Sequence, residues 1–145
     1  MEATMDRRNF IQLGFAGIGS TIVAPRLVIA SASEQSMAGG VYYTADAPGR
    51  WGKKVSTHFP NVEVGKGQDG AIIRVETRHA IDGYDHYIVK HIALDKDFNF
   101  IAEHMFDPLK DKAAISELSL GKYSGPVHVL SVCNKHDTWI NTTEV

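Results

Sequence analysis

The chain of 145 residues contains one cysteine, Cys133. That scarcity excludes an intramolecular disulfide and a four-cysteine metal cluster. It leaves a free thiol, or one soft ligand in a site otherwise built from other residue types. Long apolar runs are also missing. The most hydrophobic stretch, Leu13 to Val23, is short and carries three glycines, well below the ~20 apolar residues that span a bilayer. Charge of one sign is not in excess: 15 Lys and Arg face 17 Asp and Glu, which gives no electrostatic footprint for nucleic acid. Past residue 32 no window shows a helical apolar repeat of a dozen residues, and there is no internal repeat.

Histidine, by contrast, is plentiful, with seven in the chain. His136 closes the turn Cys133-Asn134-Lys135-His136, and His58, His79 and His86 lie upstream. One thiolate and four imidazoles suit a redox-active iron or copper better than a structural zinc.

The beginning of the sequence has the layout of an export signal. Asp6-Arg7-Arg8-Asn9-Phe10-Ile11 places paired arginines before the moderately apolar stretch, and Ala30-Ser31-Ala32 supplies small residues for a peptidase. Paired arginines in that context point to the twin-arginine route, residues 1–32 forming the signal and the remainder a periplasmic or otherwise exported protein. The chain then implies the twin-arginine machinery as a partner. That route carries folded proteins, which agrees with a metal loaded before export. Residues 33–40, rich in Ser and Gly, read as a flexible linker, and residues 41–145 as one domain.

The punctuation of that domain is all-β. In Ala71 to Thr77 the residues Ala71, Ile73, Val75 and Thr77 share one face, with Arg74 and Glu76 on the other. Tyr87 to Leu94, Phe98 to Met105, Ala114 to Leu120 and Val127 to Cys133 are further short runs rich in β-branched or aromatic residues. Turn-forming segments separate them: Gly65 to Gly70, Asp95-Lys96-Asp97, Asp107-Pro108 and Ser124-Gly125-Pro126. Tyr42-Tyr43 and Asn61 to Val64 add two candidate edge strands. Six to eight short strands predict an antiparallel sandwich.

Such folds collect metal ligands from strand ends and adjoining loops. His58 precedes Phe59-Pro60 at the start of a strand, His79 closes the Ala71 strand, His86 opens the next, and Cys133 ends the last strong one, so all can meet at one end. His91, His104 and His128 are excluded from the set. His91 is an odd number of residues from His86, and His128 from Cys133, which assigns them to the opposite strand face. Tyr42, Tyr43 and Trp51 are read as core or interface aromatics, Trp139 as a cover over the site, and Lys53, Lys54 and Lys135 as solvated lysines.

On these residues the sequence resembles the superoxide reductases, including the one-iron neelaredoxins and the catalytic domain of desulfoferrodoxins. Thr57-His58-Phe59-Pro60 is similar to the family's first ligand motif, His79 with Asp85-His86-Tyr87-Ile88 to its paired-histidine segment, and Cys133-Asn134-Lys135-His136 with Asp137 and Trp139 to its closing motif. The resemblance runs from about Tyr42 to Trp139. It implies an immunoglobulin-like antiparallel β-sandwich of about seven strands holding one iron (Fe2+/Fe3+). The implied ligands are His58, His79, His86 and His136 as equatorial imidazoles and Cys133 as axial thiolate, with Cys133 and His136 as the catalytic pair. The implied activity is one-electron reduction of superoxide to hydrogen peroxide, with an external electron donor and, as often in the family, a homo-oligomer.

Where the family has Glu-Lys before the first histidine, this chain has Ser56-Thr57; Lys53, Lys54 and Lys135 are the candidates to replace that lysine. A cupredoxin-like electron carrier and a non-catalytic binding module on the same sandwich are the rival readings. The first requires a weak methionine ligand soon after the last histidine, and no methionine follows Cys133.

Overall fold

Inward-facing residues alternate with outward ones along most of the strands, and that period of two organises the molecule. The computed structural model describes residues 37–145. The predicted signal and residues 33–36 of the predicted linker lie outside the described residues. From Met37 to Tyr42 the chain makes a turn in which the N–H groups of Gly40, Val41 and Tyr42 all point to the Met37 carbonyl.

Seven strands follow: β1 (Asn61–Gly67), β2 (Gly70–Ala80), β3 (Ile88–Leu94), β4 (Phe100–Met105), β5 (Ala113–Gly121), β6 (Pro126–Cys133) and β7 (Thr138–Glu144). They form two antiparallel sheets, one ordered β1-β2-β5 and the other β4-β3-β6-β7. This is the sandwich predicted, in an immunoglobulin-like arrangement with the fourth strand paired to the third. β5 and β6 alternate regularly between outward and buried residues.

Local departures from the sequence expectation number four. Gly65-Lys66-Gly67 belongs to β1 rather than to a turn, which shrinks to Gln68-Asp69. A Cβ at Gly67 would stand 2.9 Å from the Ile72 side chain, so the glycine permits the close pairing. The segment Gly49–Lys54 is a 3-10 turn that runs into a short helix, α1 (Val55–His58), so His58 reaches the entry to β1 as the last residue of a helix. Pro60 disfavours helical geometry at the preceding residue, and Phe59 is extended (φ -69°, ψ 126°). Finally, β7 was not anticipated. Tyr42-Tyr43, expected as an edge strand, contributes only isolated bridges: Tyr43 exchanges hydrogen bonds with Thr138 and Ile140 and packs its ring 5.7 Å from Trp139.

Candidate metal centre

Cys133 and the four histidines predicted from the sequence converge at one end of the sandwich. One ligand-capable atom from each of His58, His79, His86, Cys133 and His136 lies within 4.8 Å of every other. Each arrives from a separate element. His58 ends α1, and its segment is pinned to β7 by the Asn141 amide, which donates to the Pro60 carbonyl at 2.8 Å. His79 is the penultimate residue of β2, beside an irregularity where the pairing with β5 skips from Thr77 to Ala80. Bulges of this kind re-aim side chains at strand ends. Cys133 ends β6, and His136 sits on the tight turn beyond, which Asp137 closes with a positive φ of 62°.

His86 precedes β3 on a loop, and Asn134 holds it there. The Asn134 side chain donates to the carbonyls of Tyr84 (3.2 Å) and Asp85 (3.1 Å) and accepts the Tyr87 N–H (3.1 Å). Lys135 adds an ion pair to Asp85 at 3.0 Å. Lys135 is thereby occupied in bracing the loop.

The imidazoles form a closed cycle. His58 and His79, His79 and His86, His86 and His136, and His136 and His58 each meet edge to face, with interplanar angles of 88°, 89°, 67° and 89°. His58 and His86 lie across the cycle, 5.9 Å apart and close to parallel. Three adjacent nitrogen pairs are 2.9, 2.9 and 3.0 Å apart: His58 Nε2 to His136 Nδ1, His136 Nδ1 to His86 Nε2, and His86 Nε2 to His79 Nε2. Two nitrogens each ~2.1 Å from one ion and at right angles around it stand about 3 Å apart. The spacing therefore fits four imidazoles around a single metal. Cys133 Sγ lies 3.6 Å from His136 Nδ1 and accepts the backbone N–H of Lys135 at 3.4 Å.

Hydrogen bonding and burial prepare these rings as ligands. Thr57 Oγ1 donates to the Lys54 carbonyl at 3.2 Å, so it accepts from His58 Nδ1–H at 2.8 Å and leaves Nε2 with its lone pair toward the cluster. His79 Nδ1–H donates in the same way to the Ala80 carbonyl. Anchoring the outer nitrogen fixes tautomer and ring orientation. Burial, reinforced by neighbouring imidazoles, lowers the His58 pKa to about 3. Burial is also the largest cause lowering His79, His86 and His136, and the Lys54 charge acts on all three in the same direction. All four rings are consequently neutral at pH 7, the state that binds metal.

Trp51 and Asp137 belong to the site in a way the sequence did not reveal. The Trp51 ring meets His136 edge-on at 4.7 Å. Its Nε1–H donates to Asp137 Oδ2 at 2.8 Å, and Arg50 donates to the same oxygen at 2.5 Å. The Arg50 guanidinium, then the Trp51 indole, hold the Asp137 carboxyl below its usual range. Trp139, as expected, covers the cluster: it is fully buried, 6.0 Å from His58, and donates to the His136 carbonyl at 3.0 Å.

The three excluded histidines are elsewhere. His104 is exposed on β4, and His128 faces outward, stacked on Phe98. His91 also stays out of the cluster, but it points into the core and not to the opposite face. A bulge between Ile88 and Lys90 shifts the alternation of β3 by one residue.

A cavity of about 280 Å³ opens beside the cluster, lined by Lys54, Thr57, His58, Arg78, His79, Ala80, Asp82 and His86. Cys133 is not among its lining residues.

No protein-family model and no curated protein matches this chain. Solved structures do. The superoxide reductase (neelaredoxin) of Ignicoccus hospitalis is 25% identical with a TM-score of 0.59, over 74% of this chain and 95% of that one. A single-residue variant of the same protein gives a TM-score of 0.62 at 25% identity, over 74% of this chain and 94% of that one. The superoxide reductase (neelaredoxin) of Archaeoglobus fulgidus in its reduced form, 17% identical, shares the fold with a TM-score of 0.55 over 72% of this chain and 98% of that one.

Proposed function

We propose that this chain is a mononuclear iron superoxide reductase, which converts superoxide to hydrogen peroxide with one electron and two protons. The observation that carries the reading is the closed cycle of four imidazoles with one sulfur beside it, on a sandwich shared with the neelaredoxin structures. His58, His79, His86, His136 and Cys133 would hold the iron, which supplies one-electron redox chemistry when bound. A cupredoxin-like carrier fits poorly: the described methionines, Met37 and Met105, are both 62% exposed.

The remaining residues attract and admit the anion. Lys54 and Arg78 put positive charge on the wall of the cavity that reaches three of the histidines, and convergent cationic charge speeds capture of a small anion. Lys54 takes the place left by Thr57, whose hydroxyl is engaged in orienting His58. Cys133 does not line that cavity, so the anion reaches the cluster along the faces of His58, His79 and His86.

The paired arginines Arg7 and Arg8 support export through the twin-arginine route to the periplasm or beyond. Each turnover requires an external electron donor. The testing experiment is metal analysis of the chain purified without oxygen from iron-sufficient medium, followed by rapid mixing with superoxide. The expected outcome is one iron per chain and rapid oxidation with peroxide release. Copper, no metal, or an iron protein inert to superoxide would refute the proposal.

A further inference from the structure

A single polar layer crosses the apolar interior directly beneath the cluster. The inward residues of β2 run Ile73, Val75, Thr77, His79, and those of β6 run Val127, Val129, Ser131, Cys133. Going the other way along β5 they run Leu120, Leu118, Ser116, Ala114, and along β3 Ala93, His91, Ile88. Each strand thus changes from apolar to polar at the same depth. The four polar side chains are fully or almost fully buried. They separate one apolar cluster, Ile73, Val75, Ala93, Leu118, Leu120, Val127 and Val129, from a smaller one formed by Ile88, Phe106, Ala114 and Cys133.

Among the described residues, their side chains hydrogen-bond to one another. Thr77 Oγ1 stands 2.9 Å from His91 Nε2 and 2.8 Å from Ser131 Oγ, while His91 Nδ1 stands 2.8 Å from Ser116 Oγ. No buried side-chain nitrogen or oxygen among the described residues lacks a partner.

We propose that Thr77, His91, Ser116 and Ser131 are positioning residues that set the level of β2 against β6 and so bring His79 and Cys133 together at the metal centre. β2 and β6 lie in different sheets, so no ladder hydrogen bonds fix their relative height. Apolar contact alone would not: it is non-directional, and Ile73 and Val75 could slide past Val127 and Val129 by one inward position. The Thr77–Ser131 bond forbids that slide, since it would set Val75 against His91 and Ser131 and strand their polar atoms. Buried polar groups that specify register are the best-attested use of such networks. His79 and Cys133 lie two residues beyond the layer on strands running the same way, about 7 Å further, and inherit its alignment.

This inference rests on the metal reading of the site, and Co2+ alone is the probe that tests both. In the full chain, Thr77→Val should weaken Co2+ binding by roughly tenfold or more and shift the sulfur-to-cobalt absorption band. Thr77→Ser, which keeps the hydroxyl, should restore both. The combination Thr77→Val, His91→Leu, Ser116→Ala and Ser131→Ala should melt no lower than the unaltered chain, because an apolar layer replaces a polar one, yet bind Co2+ as weakly as Thr77→Val. Variants that change melting temperature while holding Co2+ with unaltered affinity and band would overturn the positioning role. An unaltered chain that takes up no Co2+ would instead refute the metal site beneath it.

Discussion

Acid should destabilise the metal-free chain through His91, whose hydrogen bonds go to Thr77 and Ser116 in the core and not to the clustered ligands. His91 is 0% exposed, and burial lowers its pKa from 6.5 to about 3. The folded value is the depressed one, so the unfolded chain takes up the proton first. The stabilising effect is complete above pH 6.5, declines as the pH falls, and is exhausted near pH 3. Each pH unit in that window removes about 1.4 kcal/mol. His91 alone should therefore cost about 2 kcal/mol between pH 7 and pH 5, and about 3 kcal/mol by pH 4. His58 acts in the same direction, so the His91 share must be isolated by difference. Urea unfolding of the unaltered chain and of His91→Gln, each with chelator at pH 7, 5 and 4, provides that difference. The variant should be the less stable at pH 7, where the hydroxyl network of Thr77 and Ser116 is disturbed, and the gap should narrow steadily on acidification. Stability curves that stay parallel across the whole range would refute the burial of a neutral His91.

Cys133→Ser should abolish the sulfur-to-metal absorption band and superoxide reduction together; retention of both would remove Cys133 from the ligand set. Lys54→Gln should slow the second-order reaction with superoxide about tenfold at low salt, the deficit closing as salt screens the charge, and equal rates at low salt would dismiss Lys54 as the attracting group. Asp137→Asn tolerates the left-handed backbone at that turn but loses the charge that Arg50 and Trp51 share. The pair is well exposed, so little stability should be lost, with Trp51 fluorescence shifting to longer wavelength; an unmoved spectrum would argue against the clamp. His104→Ala and His128→Ala should leave metal content unchanged, and metal loss in either would overturn the assignment.

The sequence by itself determined the fold class and the residues that meet. Alternation along residues 71–77 and 127–133 is a local property of strands, readable wherever one face is buried. The cysteine was singular, and the spacing of Cys133 and His136 matched a single turn. Local pattern also placed His79 at a strand end, because the buried face of β2 continues through it.

Only the tertiary structure decided the rest. The inward turn of His91 depends on a bulge whose register is set by the partner strand. The helical placement of His58 depends on Pro60 acting on Phe59 together with the anchor that Asn141 supplies from β7, 81 residues away. Trp51, Arg50 and Asp137 join across 86 and 87 residues, a distance at which no periodicity in the chain carries information. The cycle of imidazoles has the same origin. Composition supplies four rings, but their edge-to-face order follows from four separate elements packed at one end of a sandwich, where outer-nitrogen hydrogen bonds fix His58 and His79 and the neighbouring rings orient His86 and His136.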